Sequence, residues 1–145
     1  MTSLLTEKTG RIICWGLVLV DSVLGTIATF FPQLYCALLH PRVLAGDCAT
    51  DLIVRTGILW LMFLVFQLCA ALSRHPERWF FSVGLIRLME VPADLAYGVL
   101  AQGATLTSRL LILSAPVCNS VLGILLVAIS RLSQTPRPLS PQAER

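Results

Sequence analysis

Residues 110–130, LLILSAPVCNSVLGILLVAIS, form an unbroken run without a charged side chain. An α-helix needs about 20 apolar residues to cross a hydrocarbon core that is ~30 Å thick. The segment therefore predicts a membrane-spanning helix. Strands are not expected, because no alternating pattern of about ten residues recurs as a transmembrane barrel requires.

Three other segments have the composition of membrane spans. Residues 56–73 are uncharged, residues 12–31 contain only Asp21, and residues 79–100 are apolar at both ends. We therefore predict an all-α protein, a polytopic bundle of four antiparallel transmembrane helices with short loops. The predicted spans cover residues of about 11–32, 51–73, 79–101 and 108–131, within one domain of residues 1–131.

The whole chain has the composition of a membrane protein. Of its 145 residues, 56% are apolar and 13% are charged, and the mean hydropathy is +0.79. A soluble domain is about one-quarter charged, so the polar groups here are too few to cover a soluble surface. The net charge of +3 is spread along the chain, so no nucleic-acid partner is expected. The predicted partner is the lipid bilayer.

The first span is predicted to be a retained anchor, because its apolar stretch exceeds the ~7–15 residues of a signal-peptide core. Pro32 is expected to end its helix. The linker of residues 33–50 is either a short interfacial helix or a loop with apolar side chains. It also contains Cys36 and Cys48, which an oxidising compartment would allow to form a disulfide. Residues 132–145 are Pro-rich and predict a disordered tail.

Basic residues predict the orientation of the four spans. With the N-terminus inside, the inner side holds Lys8, Arg11, Arg74, Arg78, Arg131, Arg137 and Arg145, and the outer side holds Arg42, Arg55 and Arg109. Since short cytoplasmic loops carry the excess of Lys and Arg, we expect both termini in the cytoplasm. The expected location is the inner membrane of a bacterium.

The third span contains a stripe of polar residues. Arg87, Glu90, Asp94 and Tyr97 are spaced three, four and three apart, which places them on one helix face. A charge at the bilayer centre costs ~2.5–3.5 kcal/mol, so the stripe must face the inside of the bundle. Pro92 interrupts the helix hydrogen bonding within this stripe and predicts a kink.

Depth along the spans suggests how these charges pair. We predict Arg87 with Asp21 and Arg55 with Asp94, from a rise of ~1.5 Å per residue. Glu90 is then the surplus carboxylate, and we expect it to be uncharged at neutral pH. The polar side chains expected near it are Gln67, Tyr97 and Asn119. The network is either a proton-accepting or ligand-binding centre or a set of contacts that fixes helix register.

The chain resembles the DoxX-like group of small bacterial four-span proteins. The likeness lies in a first span with Gly25 and a terminal Pro32, and in a second span that opens with RTG at residues 55–57. The resemblance implies a four-helix bundle in the bacterial membrane.

A second resemblance is to the EXPERA group, which includes emopamil-binding sterol isomerases. It lies in FLVFQL at residues 63–68 and AP at residues 115–116. That resemblance implies a bundle around a ligand cavity lined by acidic residues. The cavity residues would be Asp21, Glu90 and Asn119.

The leading hypothesis for function is a non-enzymatic accessory or assembly subunit of a larger membrane complex, with a membrane protein or a second copy as partner. The alternative is a binder or proton-coupled transporter of a small hydrophobic molecule, with a cavity around Glu90. A third is an intramembrane isomerase that uses Glu90 and Asp94 as acid and base. No cofactor and no metal is expected, since the chain has no CxxC, paired His/Cys or nucleotide-binding motif.

Overall fold

The computed structural model describes residues 2–43, 49–101 and 103–134. This part of the chain is all α-helical, as predicted. Its helices are α1 (Thr2–Phe30), α2 (Pro32–Leu39), α3 (Thr50–Leu72), α4 (Glu77–Leu100) and α5 (Leu106–Gln134).

Three of these helices are long and apolar enough to cross a membrane. The segments that meet this condition are Thr6–Phe30, Thr50–Leu72 and Leu106–Ser133. Helix α4 has 24 residues, which at ~1.5 Å per residue also exceeds the thickness of the hydrocarbon core. Its charged stripe makes it less apolar than the other three.

Proline determines where the first two helices meet. Helix α1 ends at Phe30, and Pro32 occupies the start of α2, where a residue without an N–H is tolerated. The linker after the first span therefore contains a short helix, whose position at the membrane interface stays a prediction. Helix α5 continues to Gln134, three residues past the predicted end of its span. Residues 135–145 of the predicted tail lie outside the described residues.

The four long helices form two closely packed pairs. Helix α1 packs mainly against α3 and α4 against α5, whereas contact between the pairs is sparser. Glycines allow the close approach. A Cβ atom on Gly57 would lie 2.7 Å from the backbone N of Thr29, and one on Gly84 would lie 2.8 Å from the carbonyl O of Gly123. Small residues at such contacts are typical of membrane helix pairs.

An apolar core fills one end of the bundle. It consists of Cys14, Leu17, Ala70, Ala71, Phe80, Val83, Leu126 and Ile129. Arg11 lies at the same end of the bundle. It donates hydrogen bonds of 2.5 and 2.6 Å to the carbonyl oxygens of Ala71 and Ser73. These carbonyls belong to the C-terminal end of α3 and have no partner within the helix. The side chain thereby ties the start of α1 to the end of α3.

Large apolar side chains are exposed on all four long helices. On α4, Leu85, Met89 and Val99 are exposed, whereas Arg87 is only 4% exposed. The charged stripe of α4 is therefore turned toward the inside of the bundle, and its apolar face is turned outward. This arrangement suits a helix surrounded by lipid.

Candidate functional site

Arg87 lies near the middle of α4 and is the centre of a buried network. It forms a salt bridge with Asp21 of α1, and it donates to Glu90 Oε2 at 2.8 Å. Arg87 and Asp21 are both nearly fully buried. The pairing of Arg87 with Asp21, predicted from depth, is present. Because Arg87 carries a forked guanidinium, it contacts both carboxylates at once.

Gln67 brings a third helix into the network. Its Nε2 donates to Asp21 Oδ2 at 2.6 Å, and the residue is 1% exposed. Asp21 Oδ2 also accepts from Arg87, so one carboxylate oxygen joins α1, α3 and α4. The network therefore connects the two helix pairs where their packing is sparser.

Two buried atoms of this network make no hydrogen bond to any group that the structure describes. They are Gln67 Oε1, an acceptor, and Arg87 Nε, a donor. A buried polar group without a partner costs about 1–3 kcal/mol. Both side chains donate to the same Asp21 oxygen, so an acceptor and a donor without partners belong to two neighbouring side chains.

Asp94 lies two turns beyond Arg87 along α4, and it is paired differently from our prediction. It accepts a hydrogen bond of 2.8 Å from Asn119 Nδ2 of α5. The predicted pair of Arg55 with Asp94 is wrong: Arg55 is exposed and forms no salt bridge with any described residue. Helix α3 packs mainly on α1, and Arg55 lies on the outward face of α3.

The predicted neighbours of Glu90 are also wrong. Glu90 contacts Arg87, three residues earlier on the same helix, because residues at this spacing lie side by side on a helix face. The three polar side chains expected near it bond elsewhere. Gln67 bonds Asp21, Asn119 bonds Asp94, and Tyr97 bonds His40. The expected uncharged state of Glu90 stays a prediction.

Tyr97 connects the stripe to α2. Its hydroxyl is hydrogen-bonded to His40 Nε2, and the two ring centroids lie 5.6 Å apart. Tyr35 of α2 lies near Tyr97, and its burial raises the pKa of its hydroxyl. Sequence reasoning missed His40 and Tyr35, because no local pattern shows that α2 folds back onto α4.

We call this set of polar residues the polar seam. Its members are Asp21, Gln67, Arg87, Glu90, Asp94, Tyr97 and Asn119. Exposure rises along it, from 4% for Arg87 to 37% for Tyr97, with Glu90 and Asp94 half-buried between them. On the other side of Arg87 lies the apolar core. The polar seam is therefore buried at the end near the apolar core and more exposed at the end near α2.

Cysteines and histidines form no further centre in the described residues. No three His, Cys, Asp or Glu side chains among them are grouped so as to hold a metal ion. Cys14, Cys69 and Cys118 are free, whereas Cys36 is disulfide-bonded. Cys48 lies outside the described residues, so the predicted pairing of Cys36 with Cys48 stays a prediction.

The chain matches no family model, no curated protein and no solved structure. The resemblances to the DoxX-like and EXPERA groups accordingly stay predictions. What the protein does must follow from the chemistry of the polar seam and of its surroundings.

Proposed function

We propose that this is an integral membrane protein that binds a small hydrophobic molecule carrying a hydroxyl group in the polar seam. In this proposal α1, α3, α4 and α5 all cross the inner membrane of a bacterium, with both termini in the cytoplasm. The excess of basic residues on the N-terminal side supports this orientation. The buried charges and apolar outer face of α4 support its crossing of the membrane.

The observation that carries the proposal is the pair of unpartnered atoms, Gln67 Oε1 and Arg87 Nε. A hydroxyl group both donates and accepts, so it suits one acceptor and one donor on neighbouring side chains. Hydrogen bonds in a low-dielectric interior are stronger than in water. The polar seam therefore favours a molecule with one hydroxyl group on an apolar body.

Access supports the same interpretation. Exposure increases from Arg87 to Tyr97, and in this proposal the molecule enters from the end near α2. Contact between the two helix pairs is sparser than contact within each pair.

The carboxylates of the polar seam favour binding over catalysis. Glu90 accepts from Arg87, and Asp94 accepts from Asn119. An isomerase would need one of the two acids to be free to exchange a proton with its substrate. Binding needs no such free group, so this arrangement favours binding over isomerisation.

Photo-crosslinking tests the proposal. The full-length protein in nanodiscs is irradiated with a long-chain alcohol that carries a diazirine, and the labelled peptides are mapped. We expect saturable labelling on α3 and α4 near Gln67. Excess dodecanol should compete with it, and the methyl ether of dodecanol, which cannot donate, should not.

Two variants complete this test. Gln67→Met should abolish the saturable component, whereas Ser114→Ala, a polar change on an exposed position of α5, should leave it unchanged. Labelling that is spread evenly over the lipid-facing surface, or that survives in Gln67→Met, would contradict the proposal.

A second candidate function is the accessory or assembly subunit of a membrane complex. It is favoured by Arg55, which is exposed in the second turn of α3 and has no salt bridge to a described residue. An acidic group on a neighbouring membrane protein or on a second copy would neutralise it. Native electrophoresis of gently solubilised membranes tests this. A complex larger than the monomer should be lost in Arg55→Gln and kept in Arg74→Gln. A monomer in all samples would exclude the role of an assembly subunit.

A further inference from the structure

Helix α2 lies at the end of the bundle where the polar seam is more exposed. It follows α1 after a single residue, Phe31, and it packs against α3 and α5 as well as α1. His40, the residue after α2, is hydrogen-bonded to Tyr97 of α4. One short segment therefore contacts all four long helices.

Two of these contacts fall on helix faces that carry the polar seam. The ring centroid of Tyr35 lies 6.1 Å from that of Trp60 on α3. Trp60 precedes Gln67 by seven residues, which is about two helical turns, so both lie on the same side of α3. Tyr97, at the other contact, is itself a member of the polar seam. Helix α2 therefore contacts α3 and α4 on the side on which the polar seam lies.

Few side chains of α2 are buried. Of its eight residues, Tyr35 and Cys36 are buried, whereas Leu34 and Leu38 are exposed. Ser108 Oγ of α5 donates a hydrogen bond of 3.3 Å to the carbonyl O of Leu38. Cys36 is disulfide-bonded, so the segment stays tethered when its other contacts break. A segment with so few buried side chains separates at a lower free energy than the long helices do.

We propose that α2 is a lid at the entrance of the polar seam, closed in this structure and opened when α2 separates from α3, α4 and α5. The inference rests on the proposed function for what the lid admits, a hydrophobic molecule with a hydroxyl group. Segments that close over a site exclude water from it and control entry and release. Phe31, which belongs to neither α1 nor α2, is the joint about which α2 turns.

A matched pair of serine variants of the full-length protein tests whether α2 opens. Ser108→Ala removes the hydrogen bond to α2, whereas Ser114→Ala removes one within α5, to the carbonyl O of Leu111. The measurement is the rate at which a water-soluble carbodiimide and glycine ethyl ester modify Asp94, followed by peptide mass spectrometry. Glu77, at the far end of α4, is the internal reference.

Loss of one neutral hydrogen bond shifts an opening equilibrium by about two- to tenfold. Ser108→Ala should therefore modify Asp94 faster by that factor, and Ser114→Ala should leave the rate unchanged. The rate at Glu77 should be the same in both variants. Equal rates at Asp94 in the two variants would overturn the lid.

A crosslink that holds α2 closed tests the lid in the opposite direction. Leu38→Cys and Ser108→Cys are introduced with the three free cysteines replaced by alanine, and a short bismaleimide joins the two thiols. The matched control is the same variant blocked with N-ethylmaleimide. Crosslinking should slow modification of Asp94 and abolish the saturable photo-labelling near Gln67. If the crosslinked protein is modified and labelled as fast as the control, α2 is a fixed part of the bundle and the lid is overturned.

The two measurements separate this inference from the proposed function, because modification of Asp94 reports opening without a bound alcohol. If crosslinking slows this modification and no sample shows saturable photo-labelling, the lid stands and the proposed ligand is wrong. If saturable labelling is present and crosslinking changes neither rate, the binding stands and the lid is wrong. Slower modification with unchanged labelling would show that the alcohol enters elsewhere, and would overturn α2 as its entrance.

Discussion

At the scale of single residues, Arg87 determines how charge is accommodated inside the bundle. One guanidinium contacts Asp21 on another helix and Glu90 on its own. Removing one partner from a buried ion pair is costly, because the remaining charge has no compensation. Arg87 is therefore the residue whose loss should harm the fold most, and Glu90 should matter less.

Replacement of Arg87 tests this ranking. Arg87→Met should lower the free energy of unfolding by about 3–5 kcal/mol, because it leaves Asp21 and Glu90 buried without a cation. Glu90→Gln keeps the shape of the side chain and leaves the salt bridge to Asp21, so we expect a smaller loss. Unfolding of the purified proteins in detergent by increasing dodecyl sulfate measures both, and equal losses would contradict the central role of Arg87.

At the scale of helices, glycine contacts hold each pair together. Gly57 of α3 lies against Ala28 and Thr29 of α1, and a Cβ atom there would lie 2.9 Å from Ala28 Cβ. Gly84 and Gly123 are in similar contact between α4 and α5. Because backbone lies on the other side of these contacts, neither pair accommodates a larger residue without moving apart.

Gly57→Ala tests the first pair. The added methyl group should destabilise the protein by about 1–3 kcal/mol, the usual cost of overpacking. Gly16→Ala is the matched control, since a Cβ atom at Gly16 has nothing within 4 Å. It should be neutral or stabilising by roughly 0.5–1 kcal/mol from helix propensity. Melting temperatures that shift in the same direction for both variants would exclude the proposed close contact.

The positions of the helices and the depth of their residues could be predicted from the sequence. Which side chains contact each other between helices could be predicted only in part. Uncharged runs and Pro32 locate the helices, and residue depth predicts the pair of Arg87 with Asp21. Depth does not indicate which way a side chain points around its helix, so depth alone predicts the wrong partner for Arg55. The contact of His40 with Tyr97 depends on how α2 folds back onto α4. A hydropathy pattern does not indicate this.

At the scale of the whole molecule, function depends on whether α4 is inside the membrane. If α4 crosses, its charges must pair within the bundle, and the polar seam is a polar site enclosed in lipid. If α4 lies outside the bilayer, the same residues are an ordinary hydrated network, and no binding of a hydrophobic molecule follows. Both the orientation of the chain and the proposed access from the end near α2 depend on the same point.

Cysteine accessibility on the two sides of α4 tests this point most directly. In a variant whose native cysteines are replaced, His75→Cys and Ala104→Cys each introduce one thiol, before and after α4. In bacterial spheroplasts a membrane-impermeant maleimide should label the thiol at position 104 and should reach the thiol at position 75 only after lysis. Labelling of both thiols, or of neither, before lysis would place both ends of α4 on one side of the membrane and contradict the account.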